Sequence, residues 1–440
     1  MVRKILGWFI FVLIASFIGF IVWLFFFREE PNVPQFETRE RSEDFFPVDS
    51  TNNIGENGIV DQDGRSDGTS GRSLIPRLRQ LSKVPTAGAI SFERLTGTSE
   101  TFITEDGVEE STNNSITIFR YIERATGHLY ETRENTLTQT RLSNTTIPKV
   151  YQAEFAPNGN SALLRLIDET DNETVKTISA SVIAKSTTTE ESFRLVADGY
   201  ALEGPFLSPN IESAEISQFG ISYLVPNSNR GSALITADYN DLSKELLYDA
   251  PLLSWNLQEI NESKIALTTK ADSRLSGFLY IVNKDTKVVT KKLGDILGLT
   301  TLVSPNEKWI VYSQSSGNSI DTYALNQETN DVITLGINTL SEKCAFSNTN
   351  EDVLFCGAAN QPERVPYPES WYQGIVSFND NLWQVHLDTN EYDQILGDRE
   401  EAEQSFDITR IVVSPNDDHV MFINKKDLTL WSVDVTKTQR

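Results

Sequence analysis

The chain has 440 residues, 39% of them hydrophobic, enough apolar material for a substantial core in one large domain or two medium ones. Its 62 acidic residues outnumber 38 basic ones, for a net charge of -24. Phosphate recognition needs a clustered Lys/Arg footprint, so nucleic acid is not an expected partner, and an acidic extracytoplasmic protein fits the balance better.

Residues 5–27, ILGWFIFVLIASFIGFIVWLFFF, form an uncharged run of 23 positions. At helical rise this run spans roughly 34 Å, enough to cross a hydrocarbon core of about 30 Å. It is too long for the apolar region of a cleaved signal peptide, and no small-x-small cleavage site precedes REEPN. Arg3 and Lys4 precede it, whereas Arg28, Glu29 and Glu30 follow it, so the positive-inside rule puts residues 1–4 in the cytoplasm and the rest outside. The expectation is a signal-anchored single-pass membrane protein. Four cytoplasmic residues leave no room for a signalling domain.

Residues 28–74 are rich in Gly, Ser, Asn and acids and lack any sustained apolar period. Such a segment cannot repay the entropy of ordering, and it reads as a disordered acidic tether with a reach of roughly 35 to 40 Å. Asp61–Asp67, DQDGRSD, has three carboxylates and a Gly turn but lacks the later Glu of an acidic calcium loop, so it reads as solvated linker.

From residue 75 onward one pattern recurs: an apolar strand, a Ser-Pro-Asn turn, a second apolar strand, then two alternating strands around a Thr-containing turn. It reads clearly in LVSPNEKWIVYS (302–313), VVSPNDDHVMFI (412–423) and EFAPNGNSALL (154–164). Weaker copies occupy 211–225, 252–269 and 343–356. The turn anchors Ala156, Ser217, Glu259, Ser304, Ser347 and Ser414 are spaced by 61, 42, 45, 43 and 67 residues. A base period of 42 to 45 is that of four-stranded propeller blades, each of which buries its faces only by stacking on a neighbour.

The expected fold is therefore all-β, a seven-bladed β-propeller over 75–440, preceded by one N-terminal transmembrane helix and the tether; six blades is the alternative if the first unit is irregular. The blades are assigned to 86–143, 147–198, 201–249, 250–295, 297–337, 338–398 and 404–440. Blade 7 offers only three strands. The phrase PRLRQLS (76–82), within a closing segment 75–83, is expected to supply the fourth beside 428–435 and so remove the open edges. A basic amphipathic helix on the membrane is the rival reading of that segment. The polar stretch Asp168–Glu190 is read as a solvated loop.

The Ser-Pro-Asn phrases, each followed by an LW-x-V or LYIV strand and a D/E-T turn, resemble the WD40-like (PD40) repeats of TolB-type β-propellers over about 360 residues. The family's Ser-Pro-Asp-Gly turn is Ser-Pro-Asn here and is lost in blade 4. The layout is also similar to bacterial single-pass proteins with an outward propeller. Such propellers generally serve as binding or scaffolding platforms, a fold-level implication that does not fix function.

The catalytic inventory is thin. His128, His386 and His419 have no metal-ligand neighbour at helical or strand spacing, and HExxH and GxSxG are absent, so neither a metal site nor a serine peptidase is expected. No cofactor is implied. Sixty-two acids guarantee accidental carboxylate pairs, and nothing in the sequence singles out two of them.

Cys344 and Cys356 flank a turn centred on Asn350, a register that sets them opposite each other and makes them a disulfide candidate outside the membrane. Residues 357–381 form an insert in blade 6 carrying Tyr367, Trp371 and Tyr372, the candidate surface for a protein or glycan partner. The alternative is that Trp371 folds back as a plug over the ring's mouth.

The functional expectation is a non-enzymatic, membrane-anchored extracytoplasmic module that binds or scaffolds an envelope or surface protein. The alternative is a carbohydrate-binding or glycan-processing enzyme using carboxylates in the propeller mouth. Converging acids with perturbed pKa in a pocket would favour the enzyme; an exposed aromatic patch would favour the platform.

Overall fold

The computed structural model describes residues 75–103, 109–168, 170–171, 173–184, 199–397 and 404–437, with backbone alone for 97–103 and 109–114. The membrane-span and tether expectations, 5–27 and 28–74, lie outside these residues. Among the described residues no helix is long and apolar enough to cross a membrane.

Seven four-stranded antiparallel sheets make up the domain. Blade 1 is Thr86–Ile103, Glu109–Glu123, Leu129–Arg133 and Thr140–Arg141; blade 2 is Val150–Phe155, Ser161–Ile167, Val175–Ala184 and Tyr200–Glu203. Blade 3 is Ser213–Ser217, Gly220–Pro226, Ser232–Ala237 and Glu245–Ala250; blade 4 is Trp255–Asn261, Lys264–Thr269, Ser276–Asn283 and Val289–Leu297. Blade 5 comprises Thr300–Val303, Trp309–Ser316, Ser319–Asn326 and Val332–Thr334, and blade 6 Cys344–Phe346, Val353–Ala359, Asp380–His386 and Glu391–Leu396. Blade 7 has Ile408–Val413, His419–Asn424 and Leu430–Asp434, and its outer strand is Leu78–Ser82.

That outer strand pairs Leu78 with Val433 and Gln80 with Trp431. Arg77 just before it and Arg79 within it tie it to the blades on either side. Arg77 donates to the Ile395 carbonyl of blade 6 at 2.5 Å, and buried Arg79 donates to the carbonyls of Arg133 and Thr136 of blade 1. Leu81 packs with Phe119, Tyr121, Met421 and Leu430, joining the last blade to the first.

The recurring turn has a local physical reason. Ser304 Oγ accepts the Trp309 N–H at 2.9 Å and Ser414 Oγ accepts the His419 N–H at 2.9 Å, each closing the turn over its proline. The fourth turn residue takes the left-handed region: Gly159 with φ 68°, Glu307 with φ 64° and Asp417 with φ 61°. Glycine supplies that conformation most cheaply; the two acidic copies accept its strain. The second strand of blade 6, Val353–Ala359, is buried at every position because both its faces pack on neighbouring blades.

Three expectations change. The stretch 168–190 is not all loop: Val175–Ala184 is the third strand of blade 2, with Ile178 and Ala180 buried between blades. Its Thr and Ser residues, read as solvation, suit a pleated surface and alternate with apolar ones. Tyr200–Glu203 pairs with Val175–Ala184, so it completes blade 2 rather than opening blade 3. The first strand of blade 1, expected to be AGAISFE (87–93), runs on to Ile103 after a register shift between Leu95 and Ser99.

Candidate functional site

Cys344 and Cys356 lie directly opposite each other on the first two strands of blade 6 and are joined by a disulfide. The insert between the second and third strands folds inward. Tyr367 is 1% exposed and Trp371 5% exposed, packed with Leu340, Val376 and Phe378, so the contact surface expected of the three aromatics reduces to Tyr372, which is 42% exposed. Tryptophan and tyrosine of a Pro-rich loop bury when their polar handles find partners inside, and here both do. Tyr367 Oη donates to the Glu363 carbonyl at 3.0 Å, and Trp371 Nε1 donates to both Asp407 oxygens at 3.1 and 3.0 Å.

A buried charge cluster anchors this plug. Lys343, 0% exposed, sits 2.7 Å from Asp380 and 2.6 Å from Asp407, under the rings of Phe378 and Trp371. The insert also reaches across the ring: Glu369 accepts the Ser273 N–H of blade 4 at 3.0 Å, and Lys425 of blade 7 donates to the Trp371 carbonyl. Burial lifts the Asp380 carboxyl to about 6, opposed by Lys343 and reinforced by Asp407.

A cavity of about 680 Å³ is lined by the inner strands of blades 1, 2, 3, 4 and 7. Strand alternation sends Ala153 and Phe155, and likewise Ala214 and Ile216, into the blade packing, and turns Glu154 and Glu215 toward the cavity from adjacent blades. The charge of Glu154 acts directly on Glu215. Gln152 Nε2 donates to Glu154 Oε1 at 2.5 Å, while Glu154 Oε2 is buried with no donor. Burial first, then the charges of Glu154 and Glu259, push Glu215 well above the usual carboxylate range, against the pull of Arg410. Glu259 is neutralised separately, accepting from Ser222 and from Lys284, the latter at 2.6 Å.

Arg410 faces the pair from blade 7. A bulge sets residues 410 and 411 between the Thr409–Ile423 and Val412–Met421 pairs, and Arg410 has φ 51°. Bulges of this kind re-aim a side chain at the cost of local strain. At another part of the wall Glu342 accepts the Tyr372 hydroxyl at 2.6 Å, and burial raises both groups. Glu342 touches solvent yet has protein around it, which is the condition of a side chain in a narrow bore.

Sequence reasoning named neither Glu154 nor Glu215, although a signal was present. Both stand two residues before a turn anchor, in AEF and AEI, so aligning the repeats superposes two acids at one inner-strand position. The histidines are scattered: His386 lies 3.2 Å from Asp393 and His419 stacks edge-on with Phe119. Among the described residues no group of His, Cys, Asp and Glu could hold a metal ion.

No family model matches the chain, and no curated protein does. Solved structures do resemble it. One described as oligogalacturonate lyase in complex with manganese is 11% identical, covers 80% of this chain and all of its own, and gives a TM-score of 0.40. The GH74 enzyme of Niastella koreensis is 12% identical over 82% of this chain and 55% of its own, at 0.49. The β-propeller domain of the Trilobed protease from Pyrococcus furiosus is 9% identical over 75% of this chain and 97% of its own, at 0.45. At these identities the likeness is one of fold.

Proposed function

We propose that the protein is a non-enzymatic extracytoplasmic binding module, held at a membrane by residues 5–27, whose recognition site is the central cavity rather than the blade 6 insert. The observation that carries this reading is the convergence of Glu154, Glu215 and Arg410 on a cavity of about 680 Å³, with Glu154 Oε2 left without a donor among the described residues. Concave sites with a few converging polar groups are where ligands are held, and a donor from a partner's projecting segment would complete the Glu154 carboxylate. Burial of Tyr367 and Trp371 moves the expected contact away from the insert.

The glycan-processing alternative has in its favour the convergence of Glu154 and the raised Glu215 on one cavity, and the burial of Tyr367 and Trp371, which removes most of the exposed aromatic patch expected of a platform.

The test is crosslinking in intact cells followed by pull-down, comparing wild type, Asn256→Trp, which fills the cavity wall, and Tyr372→Ala on the insert. Loss of the captured envelope partner in Asn256→Trp alone supports the cavity. Loss in Tyr372→Ala alone returns the site to the insert, and absence of any protein partner overturns the platform.

A further inference from the structure

A second cavity, of about 180 Å³, lies beside the first and shares Thr409 and Arg410 with it. Three cations line it: Arg124, just beyond the second strand of blade 1, Arg410 on the bulge, and Lys425, just beyond the second strand of blade 7. Among the described residues no Asp or Glu lines it. In a chain of net charge -24 this is the reverse of the prevailing balance.

The side-chain donors of these residues are largely unspent. Arg124 has no side-chain hydrogen bond or ion pair among the described residues. Arg410 donates from Nη1 to the Ala87 carbonyl at 3.2 Å. Lys425 donates to the Trp371 carbonyl and sits 4.0 Å above its ring, which leaves further protons on the ammonium. The two carboxylates whose charge reaches Lys425 are engaged elsewhere, Asp407 with Lys343 and Trp371, and Glu342 with Tyr372. Burial, with the added charge of Arg410, lowers the pKa of Arg124; burial also lowers that of Lys425.

We propose that Arg124, Arg410 and Lys425 form an oxyanion-binding pocket that takes the carboxylate or phosphate end of a small ligand. Two guanidinium forks and an ammonium suit a planar or tetrahedral oxyanion, and Tyr151 and Thr409 add hydroxyl groups to the wall. The strained backbone of Arg410 aims its guanidinium where both cavities meet, so the body of the ligand extends toward Gln152 and Asn256. This inference stands beside the proposed binding role and does not need it, since the pocket would bind an anion with no protein partner present.

The experiment is calorimetric titration of the full-length chain in detergent with inorganic phosphate, sodium chloride holding the ionic strength constant, and acetate as competitor. Wild type is expected to bind phosphate saturably. Arg124→Gln and Arg410→Gln should each weaken it at least tenfold, Arg124→Lys by less than threefold, and Lys287→Gln, at an exposed ion pair on blade 4, not at all. Competition by acetate assigns the pocket to oxyanions generally; failure to compete assigns it to phosphate. Absence of saturable binding of both ions, or equal weakening by Lys287→Gln and Arg124→Gln, overturns the proposal.

Discussion

The substitution Asp380→Asn isolates the charge that holds the plug. Asp380 Oδ2 accepts the Ile408 N–H at 2.7 Å and pairs with Lys343 at 2.7 Å, while Oδ1 is buried without a partner. Burial raises this carboxyl from 3.8 to about 6, so the folded state holds its proton more tightly than the unfolded one. For an acid shifted upward, the charged form is a liability above the folded pKa that is relieved as pH falls through it. Stability should therefore rise from pH 7 to pH 4 by roughly 2 to 3 kcal/mol on account of this group, from a shift of about 2 units at 1.36 kcal/mol each. Asparagine keeps the acceptor for Ile408 and cannot titrate. Urea unfolding of both proteins at pH 7, 6, 5 and 4 gives the difference curve, in which wild type gains on Asp380→Asn as pH falls. A flat difference, or one of opposite slope, refutes the reasoning.

Other groups give independent expectations. Cys344→Ser with Cys356→Ser should cost about 3 kcal/mol through the lost loop closure, read as a lower urea midpoint, and dithiothreitol should lower the midpoint of wild type but not of the double variant. Trp371→Phe keeps the ring but loses both bonds to Asp407, leaving a buried carboxylate short of a donor; a loss of about 1 to 3 kcal/mol and faster proteolysis within residues 360–379 are expected. Leu81→Ala, in the closing strand at 3% exposure, should cost about 2 to 5 kcal/mol by thermal unfolding, since it empties the packing between the last blade and the first. Glu215→Gln removes a carboxylate that burial and Glu154 disfavour, so it should stabilise the fold at pH 8 and matter less at pH 5, where the wild-type proton is bound.

Periodicity carried the architecture because every blade solves the same packing problem. The Ser-Pro-Asn turn, the apolar second strand and the 42-to-45-residue spacing are local consequences of that problem, so they stand in the sequence without reference to distant residues. The phrase PRLRQLS was readable as a closing strand by the same token, and Leu78–Ser82 lies on blade 7. What stayed hidden depends on partners far away in the chain. Lys343 is an ordinary surface residue by type, and only the meeting of Asp380, Asp407 and Trp371 around it explains its complete burial. A Pro-rich aromatic insert looks like a contact surface until the polar handles of Tyr367 and Trp371 find acceptors inside. Glu154 and Glu215 were within reach of a repeat alignment, whereas Arg410 was not, because its aim depends on a bulge.

The central claim is that the cavity holds the partner. A photoreactive benzoylphenylalanine placed at Asn256 in the cavity wall, and in parallel at exposed Leu246 on the outer strand of blade 3, tests it in intact cells. The account predicts an irradiation-dependent adduct to one defined envelope protein from position 256 and none from 246. Adducts from 246 alone, or from neither position, would contradict it.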